Sequence, residues 1–217
     1  MQDDIKIPLF PLGVVLLPGT LLPLHIFEER YKIMIRECLD QDKVFGIVFT
    51  DDKETRKKGC TARVIKVIKR YDDGRMDILT RGERRFTIQD ISDEKPYLQA
   101  TVVYFDDAVE KRDEGLNQLV TGGIHLLEEV DGMTGKKGDY SSVPNLDLKN
   151  ASFLISNSDG FTAEEKQSFL EMTSTRERII KSVKSLKKII ERLKISQEIR
   201  KIIGGNGDLK KKMDNKV

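Results

Sequence analysis

The side chains best suited to metal binding or nucleophilic chemistry are two cysteines and two histidines, spread along 217 residues. Cys38 and Cys60 form no CxxC motif, and neither His25 nor His125 lies in a Cys/His cluster. A zinc site needs three or four protein ligands close together. The sequence therefore predicts no metal site and no cofactor. We expect two reduced thiols, with Cys38 on the buried face of a helix, and structural or solvent-exposed roles for both histidines, with His125 on an apolar helix face.

Carboxylates and lysines also fall short of a catalytic pattern. Adjacent aspartates occur at 51–52, 72–73 and 106–107, in loops where turn and cap roles explain them better than acid–base catalysis in a shared cleft. The segment nearest to a GxxxxGK[ST] phosphate loop has Val130 at the first glycine position and Lys137 at the hydroxyl position. The sequence therefore predicts a protein that is not an enzyme, and an enzyme of unknown type is its least supported interpretation.

Charge is the most distinctive chemical feature of the end of the chain. Residues 174–217 hold 14 Lys/Arg against 5 Asp/Glu, a net charge of +9 within a chain whose total is +2. Six basic residues lie largely away from the apolar positions of the last predicted helix: Lys181, Lys184, Lys187, Lys188, Arg192 and Lys194. We call them the basic face. A solvated surface explains them most simply, and a contact surface for an acidic protein or a nucleic acid is the alternative.

The elements that would position these residues begin with a proline-rich opening. Four of the six prolines lie within residues 7–31, in an otherwise apolar run. Because proline cannot donate to a sheet ladder, this run predicts short strands rather than a helix, with a turn at Pro18-Gly19. The run also lacks a basic leader and a small-residue cleavage site, so we expect neither a signal peptide nor a membrane span, and a cytoplasmic protein.

The first half of the chain then alternates strand signals with one helix. Apolar spacing predicts a helix over 28–41, followed by a buried strand at 44–49 and a charged loop at 51–59. Asp73-Gly74 predicts a hairpin between strands at 62–71 and 76–80, and further strands follow at 85–88 and 98–105. The sequence therefore predicts an α+β fold whose residues 1–107 form a small antiparallel β pseudo-barrel with one inserted helix.

Residues 108–203 have helical patterns and predict a second, helical subdomain. Helices are expected over 109–130, where Gly122-Gly123 would weaken or kink the helix, and over 147–156, with a mobile loop at 131–145 between them. Thr162 and Glu165 form a capping box before a further helix. Phe161 and Lys166 occupy the two staple positions around that cap, so the lysine leaves the hydrophobic staple half made.

The last predicted helix begins at Ser174 and runs to Ile203. Its apolar positions step by 4, 3, 4 and 3 residues, at Ile179, Val183, Leu186, Ile190 and Leu193. Two repeats are too few for a coiled coil, so we expect this seam to pack on the preceding helices, in a monomer or weak dimer. The glycines at 204–207 should end the helix and leave 204–217 as a flexible basic tail.

Three segments resemble the N-terminal, substrate-binding domain of Lon protease, over roughly residues 5–195. They are PLFPLGVVLLPGTLLPLHIFEERY at 8–31, the hairpin from 62 that ends in GERRF at 82–86, where the family has a turn, and FTAEEKQSFLE at 161–171. The resemblance implies a PUA-like pseudo-barrel followed by a helical bundle. It also implies binding of unfolded or partner polypeptide, as an adaptor or holdase in proteostasis, without the ATPase and peptidase activities of a full Lon protease.

A second functional hypothesis is RNA binding through the PUA-like barrel and the basic face. The basic face has no aromatic residues interleaved with it, and the chain has no tryptophan, so bases would have to stack on the phenylalanines and tyrosines of the barrel. The sequence therefore favours polypeptide binding. For that function we expect an exposed apolar groove near the junction of barrel and helices, because adaptable apolar surface suits varied peptides.

Overall fold

The proline-rich opening forms two strands joined by the predicted turn at Pro18-Gly19. The computed structural model describes residues 5–110, 113–136, 138, 140 and 146–214, with side chains described as far as residue 202. Gly19 has φ of +77°, and the amide of Thr20 donates to the carbonyl of Leu17 at 3.2 Å. Glycine adopts a positive φ without steric cost, so the turn reverses the chain tightly between the two strands.

Six strands and five helices make up the described part of the chain. The strands are β1 (Ile5–Leu12), β2 (Leu21–Ile26), β3 (Phe45–Thr50), β4 (Thr55–Arg70), β5 (Met76–Ser92) and β6 (Gln99–Phe105). The helices are α1 (Glu29–Asp40), α2 (Glu114–Thr134), α3 (Leu148–Ile155), α4 (Ala163–Glu171) and α5 (Thr175–Asp214). This order confirms the predicted succession of strands with one inserted helix followed by helices.

The sheet closes on itself, as the prediction of a small barrel requires. Its strand order is β2-β5-β4-β3-β1-β6, and β6 returns to pair with β5. The long strand β5 makes this possible, because its first half pairs with β2 and its second half pairs with β6. Five strands therefore form a closed ring, and β2 extends it at one side.

A glycine in β5 lets the opening turn lie directly against the barrel. The Gly82 amide donates to the Thr20 carbonyl at 3.0 Å, and the Gly19 amide donates to the Gly82 carbonyl at 2.8 Å. A Cβ at position 82 would lie 2.3 Å from the Leu17 carbonyl oxygen. Only a residue without a side chain permits this approach, so Gly82 fixes the turn onto the sheet.

The helical part packs on the barrel and on itself. Phe153 of α3 and Leu170 of α4 belong to the same buried cluster as α1 and the strands. The predicted seam of α5 lies in a second cluster with α2, which confirms that it packs on preceding helices. Helix α2 continues through both glycines, and Gly123 is buried where a Cβ would lie 2.8 Å from Ile155.

The predicted strands differ from the structure in their pairing direction and in their bounds. Strands β1 and β3 are parallel, so the barrel is mostly rather than wholly antiparallel. Residues 55–59 belong to β4, because they pair with β3 and β5, and the charged loop is correspondingly shorter. The GERRF segment is not a turn: residues 82–86 continue β5, whose pairing partners change there from β2 to β6.

The helical boundaries also differ at three places. Helix α2 begins at Glu114, after its N-cap Asp113, rather than at residue 109. Helix α2 extends to Thr134, so 131–134 are not part of a loop, and residues 137, 139 and 141–145 of that predicted loop lie outside the described residues. The backbone of α5 runs through the glycines at 204–207 to Asp214. Glycine lowers helix propensity by about 1 kcal/mol but does not block the helical hydrogen bonds, which explains why the pattern misplaced this end. The division into subdomains at residue 107 and the flexibility of the tail stay predictions.

Candidate functional site

Two arginines and one aspartate meet where the barrel joins the helices. Arg85 lies on β5, Asp107 follows β6, and Arg178 lies near the start of α5. The two terminal nitrogens of Arg178 donate to the two carboxylate oxygens of Asp107 at 2.9 and 2.6 Å, and Arg85 donates to the same carboxylate. All three side chains are buried, with exposed fractions of 0%, 6% and 1% for Arg178, Asp107 and Arg85.

Neutral acceptors and an aromatic ring surround the two guanidinium groups. Arg85 donates to the carbonyl of Leu170 at 2.9 Å, and Arg178 donates to the carbonyl of Met172 at 2.7 Å. The Phe153 ring centroid lies 3.9 Å from the guanidinium carbon of Arg178 and 5.1 Å from that of Arg85. Carbonyl dipoles and a cation–π contact compensate a buried positive charge, so the cluster is electrostatically satisfied.

The Asp107 carboxyl stays ionised in this setting. Burial alone would raise its pKa, but hydrogen bonds from Arg178 and Thr175 and the positive charges of Arg178 and Arg85 lower it further than burial raises it. The net direction is below the ordinary carboxyl pKa. A carboxylate held this way is a fixed link between barrel and helices rather than a proton donor.

A groove of about 390 Å³ lies between the barrel and the helical part. We call it the junction groove. It is lined by residues 13–16 and 20–23 from the barrel and by Asn157, Asp159, Phe161, Ala163 and Lys166 from the helical part. On the barrel side, Val14 and Leu21 have exposed fractions of 44% and 50%. Apolar side chains therefore remain accessible at this junction, as expected for a peptide groove.

The edge of the sheet runs beside this groove. Strand β2 contributes Leu21, Leu22 and Pro23 to the lining, and among the described strands it pairs only with β5. An edge strand presents backbone groups that have no partner within the sheet, although Pro23 itself has no N–H to donate. The groove thus combines exposed apolar side chains with an open strand edge, and both can contact an extended polypeptide.

Among the described residues, the ammonium of Lys166 faces the junction groove without a partner. Lys166 lies in the first turns of α4, and its ammonium makes no ion pair or hydrogen bond with the residues that the structure describes. Burial lowers its pKa, which the neighbouring Asp159 partly opposes. Asp159 itself is paired with Lys136. Lys166 is therefore a partly desolvated positive charge at the wall of a groove that also exposes apolar side chains.

A second cleft, of about 470 Å³, is lined in part by Pro18 of the opening turn and holds more charged residues than the junction groove. Glu83, Asp106 and Lys149 line it, but Glu83 is paired with Arg63 and Lys149 is paired with Asp106. Its remaining surface cation, Arg84, stacks on the Tyr104 ring at 3.8 Å. The charged groups of this cleft already have partners within the protein. They are therefore less available to a ligand than Lys166 of the junction groove, which is unpaired among the described residues.

The basic face is exposed on α5 and separate from the junction groove. None of its six residues lines that groove. The ammonium of Lys181 donates to the hydroxyl of Ser168 at 3.0 Å, and Lys194 is paired with Glu129 at 2.9 Å. Lys187 and Lys194 line shallow grooves along α2 and α5. The role of the basic face in partner binding stays a prediction.

The histidines and cysteines take no part in the junction groove. His25 is hydrogen bonded to Asp77 at 2.6 Å, and His125 lies beside Glu128 with a side chain that is 73% exposed. The expectation of an apolar helix face for His125 was therefore wrong, because that position of α2 faces solvent. Cys38 and Cys60 are free and buried, and burial raises the pKa of the Cys38 thiol to about 11.

The described residues contain neither a candidate metal site nor a candidate membrane-spanning helix. They contain no group of three or more histidine, cysteine or acidic side chains placed to hold a metal ion. No helix among them is both long and apolar enough to cross a membrane.

The sequence did contain one signal for Lys166. A hydrophobic staple joins the residue before the helix cap to the fourth helical residue, so that position normally holds an apolar side chain against the core. Here Phe161, the residue before the cap, is buried, but the fourth helical residue is Lys166 instead of an apolar residue. A charged residue at a position that should be covered marks a site where the ammonium is partly desolvated.

Comparison with known proteins places this architecture in a family. The family model described as the ATP-dependent protease La (LON) substrate-binding domain matches residues 6–188. The chain belongs to this family. Members with similar sequences include the Lon protease of Flavobacterium johnsoniae, 24% identical over 211 residues, and Lon protease 2 of Myxococcus xanthus, 26% identical over 222 residues. These alignments cover 90% and 94% of this chain but only 25% and 26% of the relatives.

Solved structures confirm the fold of the family in this chain. The Lon N-terminal domain protein from Xanthomonas campestris matches with a TM-score of 0.63 and 22% identity, over 81% of this chain and 95% of that chain. The N-terminal domain of a Mycobacterium avium complex Lon protease matches with a TM-score of 0.68 and 18% identity, over 84% and 98%. The resemblance inferred from three sequence segments is thereby confirmed.

Proposed function

We propose that this chain is a non-catalytic polypeptide-binding module, and that unfolded or partner polypeptide binds in the junction groove. The observation that carries the proposal is the exposure of Val14 and Leu21 along a groove whose lining includes part of the edge strand β2. The description of the family as a substrate-binding domain supports it. The chain spans about a quarter of the length of its curated relatives, so their protease activity is not part of this proposal.

The proposed role is recruitment rather than chemistry. Asp107, buried and with a lowered pKa, is held by two arginines and is not poised for proton transfer. Binding of varied polypeptides needs accessible apolar surface and backbone hydrogen-bonding groups, and the junction groove provides both. We infer an adaptor or holdase that works in the cytoplasm, where its two unpaired thiols would remain reduced.

The proposal is tested with a permanently unfolded probe, fluorescently labelled lactalbumin whose cysteines are reduced and alkylated. We expect Leu21→Asp to weaken binding of this probe by about tenfold or more, because the new carboxylate would be desolvated under the bound chain. The matched control is Ile68→Asp. Ile68 is 55% exposed on β4 and lies outside the junction groove, so its replacement should leave the affinity unchanged.

Two outcomes would contradict the proposal. Failure of the native protein to bind the probe, or to slow its aggregation, would remove polypeptide binding as the function. Equal losses for both variants would show that apolar surface in general, rather than the junction groove, holds the probe. Circular dichroism of each variant establishes that the barrel and helices are intact.

A further inference from the structure

The junction groove contains one charged group that has no partner among the described residues, the ammonium of Lys166. It lines a groove beside Phe161 and Ala163, and the described residues offer it no hydrogen bond and no ion pair. A partly buried charge without a partner is costly. The desolvation of this ammonium destabilises the unbound protein. An anion supplied by a ligand would compensate for that desolvation.

The electrostatic surroundings favour an anion rather than a cation at this position. The charged groups that act on Lys166 are Asp159 and Lys136. Asp159 is paired with Lys136, and its carboxylate acts on Lys166 more strongly than the Lys136 ammonium does, so it offsets part of the Lys166 charge. The three groups together still hold two positive charges against one negative charge, and this excess complements a single carboxylate.

The form of the site favours a side-chain carboxylate over a chain terminus. Capture of a chain-terminal carboxylate typically uses a nest of free backbone amides. The helix end nearest Lys166 offers few of them, because the Thr162 hydroxyl accepts from the Glu165 amide at 3.2 Å and the Glu165 carboxylate accepts from the Thr162 amide at 3.0 Å. A lone ammonium beside an open strand edge suits an acidic residue within a continuing extended segment.

We propose that Lys166 binds the carboxylate of an aspartate or glutamate in an otherwise apolar, extended segment of the bound polypeptide. This inference rests on the proposed function and narrows its substrate class. The apolar residues of the segment contact Val14 and Leu21, and the acidic residue reaches across the groove to α4. The ion pair forms in a partly desolvated place, so it contributes more than an exposed pair on the surface would.

The test uses three synthetic ten-residue peptides that share four leucines and valines and are acetylated at the N-terminus. The first has a central glutamate and an amidated end, the second has glutamine in its place, and the third has the glutamine and a free C-terminal carboxylate. We expect the native protein to bind the glutamate peptide about tenfold more tightly than the glutamine peptide. Lys166→Met, which keeps the apolar stem, should remove that preference and leave the affinity for the glutamine peptide unchanged or higher.

The control variant is Lys66→Met, an exposed lysine of β4 outside both the groove and the basic face, which should keep the preference. Equal affinities of the native protein for the glutamate and glutamine peptides would overturn the Lys166 inference and leave the groove proposal standing. Tightest binding of the third peptide would overturn it in favour of a chain terminus. If no peptide binds the native protein, and Leu21→Asp does not weaken binding of unfolded lactalbumin, both proposals fail together.

Discussion

The guanidinium of Arg178 donates two parallel hydrogen bonds to the carboxylate of Asp107, at 2.9 and 2.6 Å. The two residues are 71 positions apart in the chain, and the pair connects the end of the barrel to the start of the long helix. The geometry is bidentate and buried, which makes it a strong and specific contact. The relative position of barrel and helices, and with it the shape of the junction groove, therefore depends on this pair.

Removing the arginine should destabilise the protein strongly. Arg178→Met leaves the Asp107 carboxylate buried with Arg85 as its remaining cation, and breaking a buried pair typically costs about 3–5 kcal/mol. We expect a loss of that size in the free energy of unfolding, measured by urea denaturation. Arg192→Met, at an exposed position of the same helix, should change it by less than about 0.5 kcal/mol. Similar small changes in both variants would mean that the pair does not hold the junction.

The same carboxylate should make stability depend on pH in a defined window. The pKa of Asp107 is lower in the folded protein than its ordinary value, so its contribution is fully present above about pH 4 and is lost as the pH falls through the folded-state pKa. We expect Asp107→Asn to be less stable than the native protein at pH 7, and the difference to shrink below pH 4. A difference that stays constant down to pH 3, measured by urea unfolding, would contradict a lowered pKa for Asp107.

Two glycines should respond in opposite directions to alanine. Gly82→Ala places a Cβ 2.3 Å from the Leu17 carbonyl oxygen, so the opening turn must move and we expect a loss of about 1–3 kcal/mol. Gly122→Ala meets no atom within 4 Å inside α2 and should raise stability by up to about 1 kcal/mol. Thermal unfolding of the two variants measures both effects. A neutral Gly82→Ala would mean that the turn does not need this close approach.

The basic face should be separable from polypeptide binding. We expect a variant with all six of its residues changed to glutamine to bind unfolded lactalbumin as the native protein does, because none of the six lines the junction groove. The affinity is measured by fluorescence anisotropy at low and at physiological salt. A salt-sensitive loss of binding in the variant would place the polypeptide on the basic face instead.

A labelled single-stranded RNA, measured alongside, tests the other hypothesis. Tight binding by the native protein, with a steep salt dependence that disappears in the six-residue variant, would support RNA as the ligand of this face. We expect no such binding, because no aromatic residue lies between the lysines and the arginine of the basic face, so bases have nothing to stack on there.

Local patterns were enough to predict most of the elements. The spacing of apolar residues located α1, and Asp73-Gly74 located the hairpin, where Gly74 has φ of +83°. The capping box at Thr162 and Glu165 formed as predicted. Each of these features depends on residues within a few positions of one another, so the chain need not fold globally for the pattern to be informative.

The predictions failed where pairing partners are distant. Strand β5 runs through the GERRF segment because its second half meets β6, which follows it in the chain and completes the ring. The parallel pairing of β1 with β3 likewise follows from closure of the barrel rather than from either strand's own residues. The alternation of apolar residues in a strand predicts which side chains face inward. It does not predict which other strand forms the backbone hydrogen bonds.

The sequence by itself determined the order of elements, the helix caps, the tight turns and the family resemblance, because these arise from short-range sterics and spacing. Only the tertiary structure decided that Asp107 lies between Arg85 and Arg178, and that the Lys166 ammonium faces the junction groove without an ion pair or hydrogen bond to the described residues. Both arrangements require the barrel to close and α3, α4 and α5 to pack against it. Burial and charge pairing arise from contacts between residues far apart in the chain, and local sequence patterns do not encode those contacts.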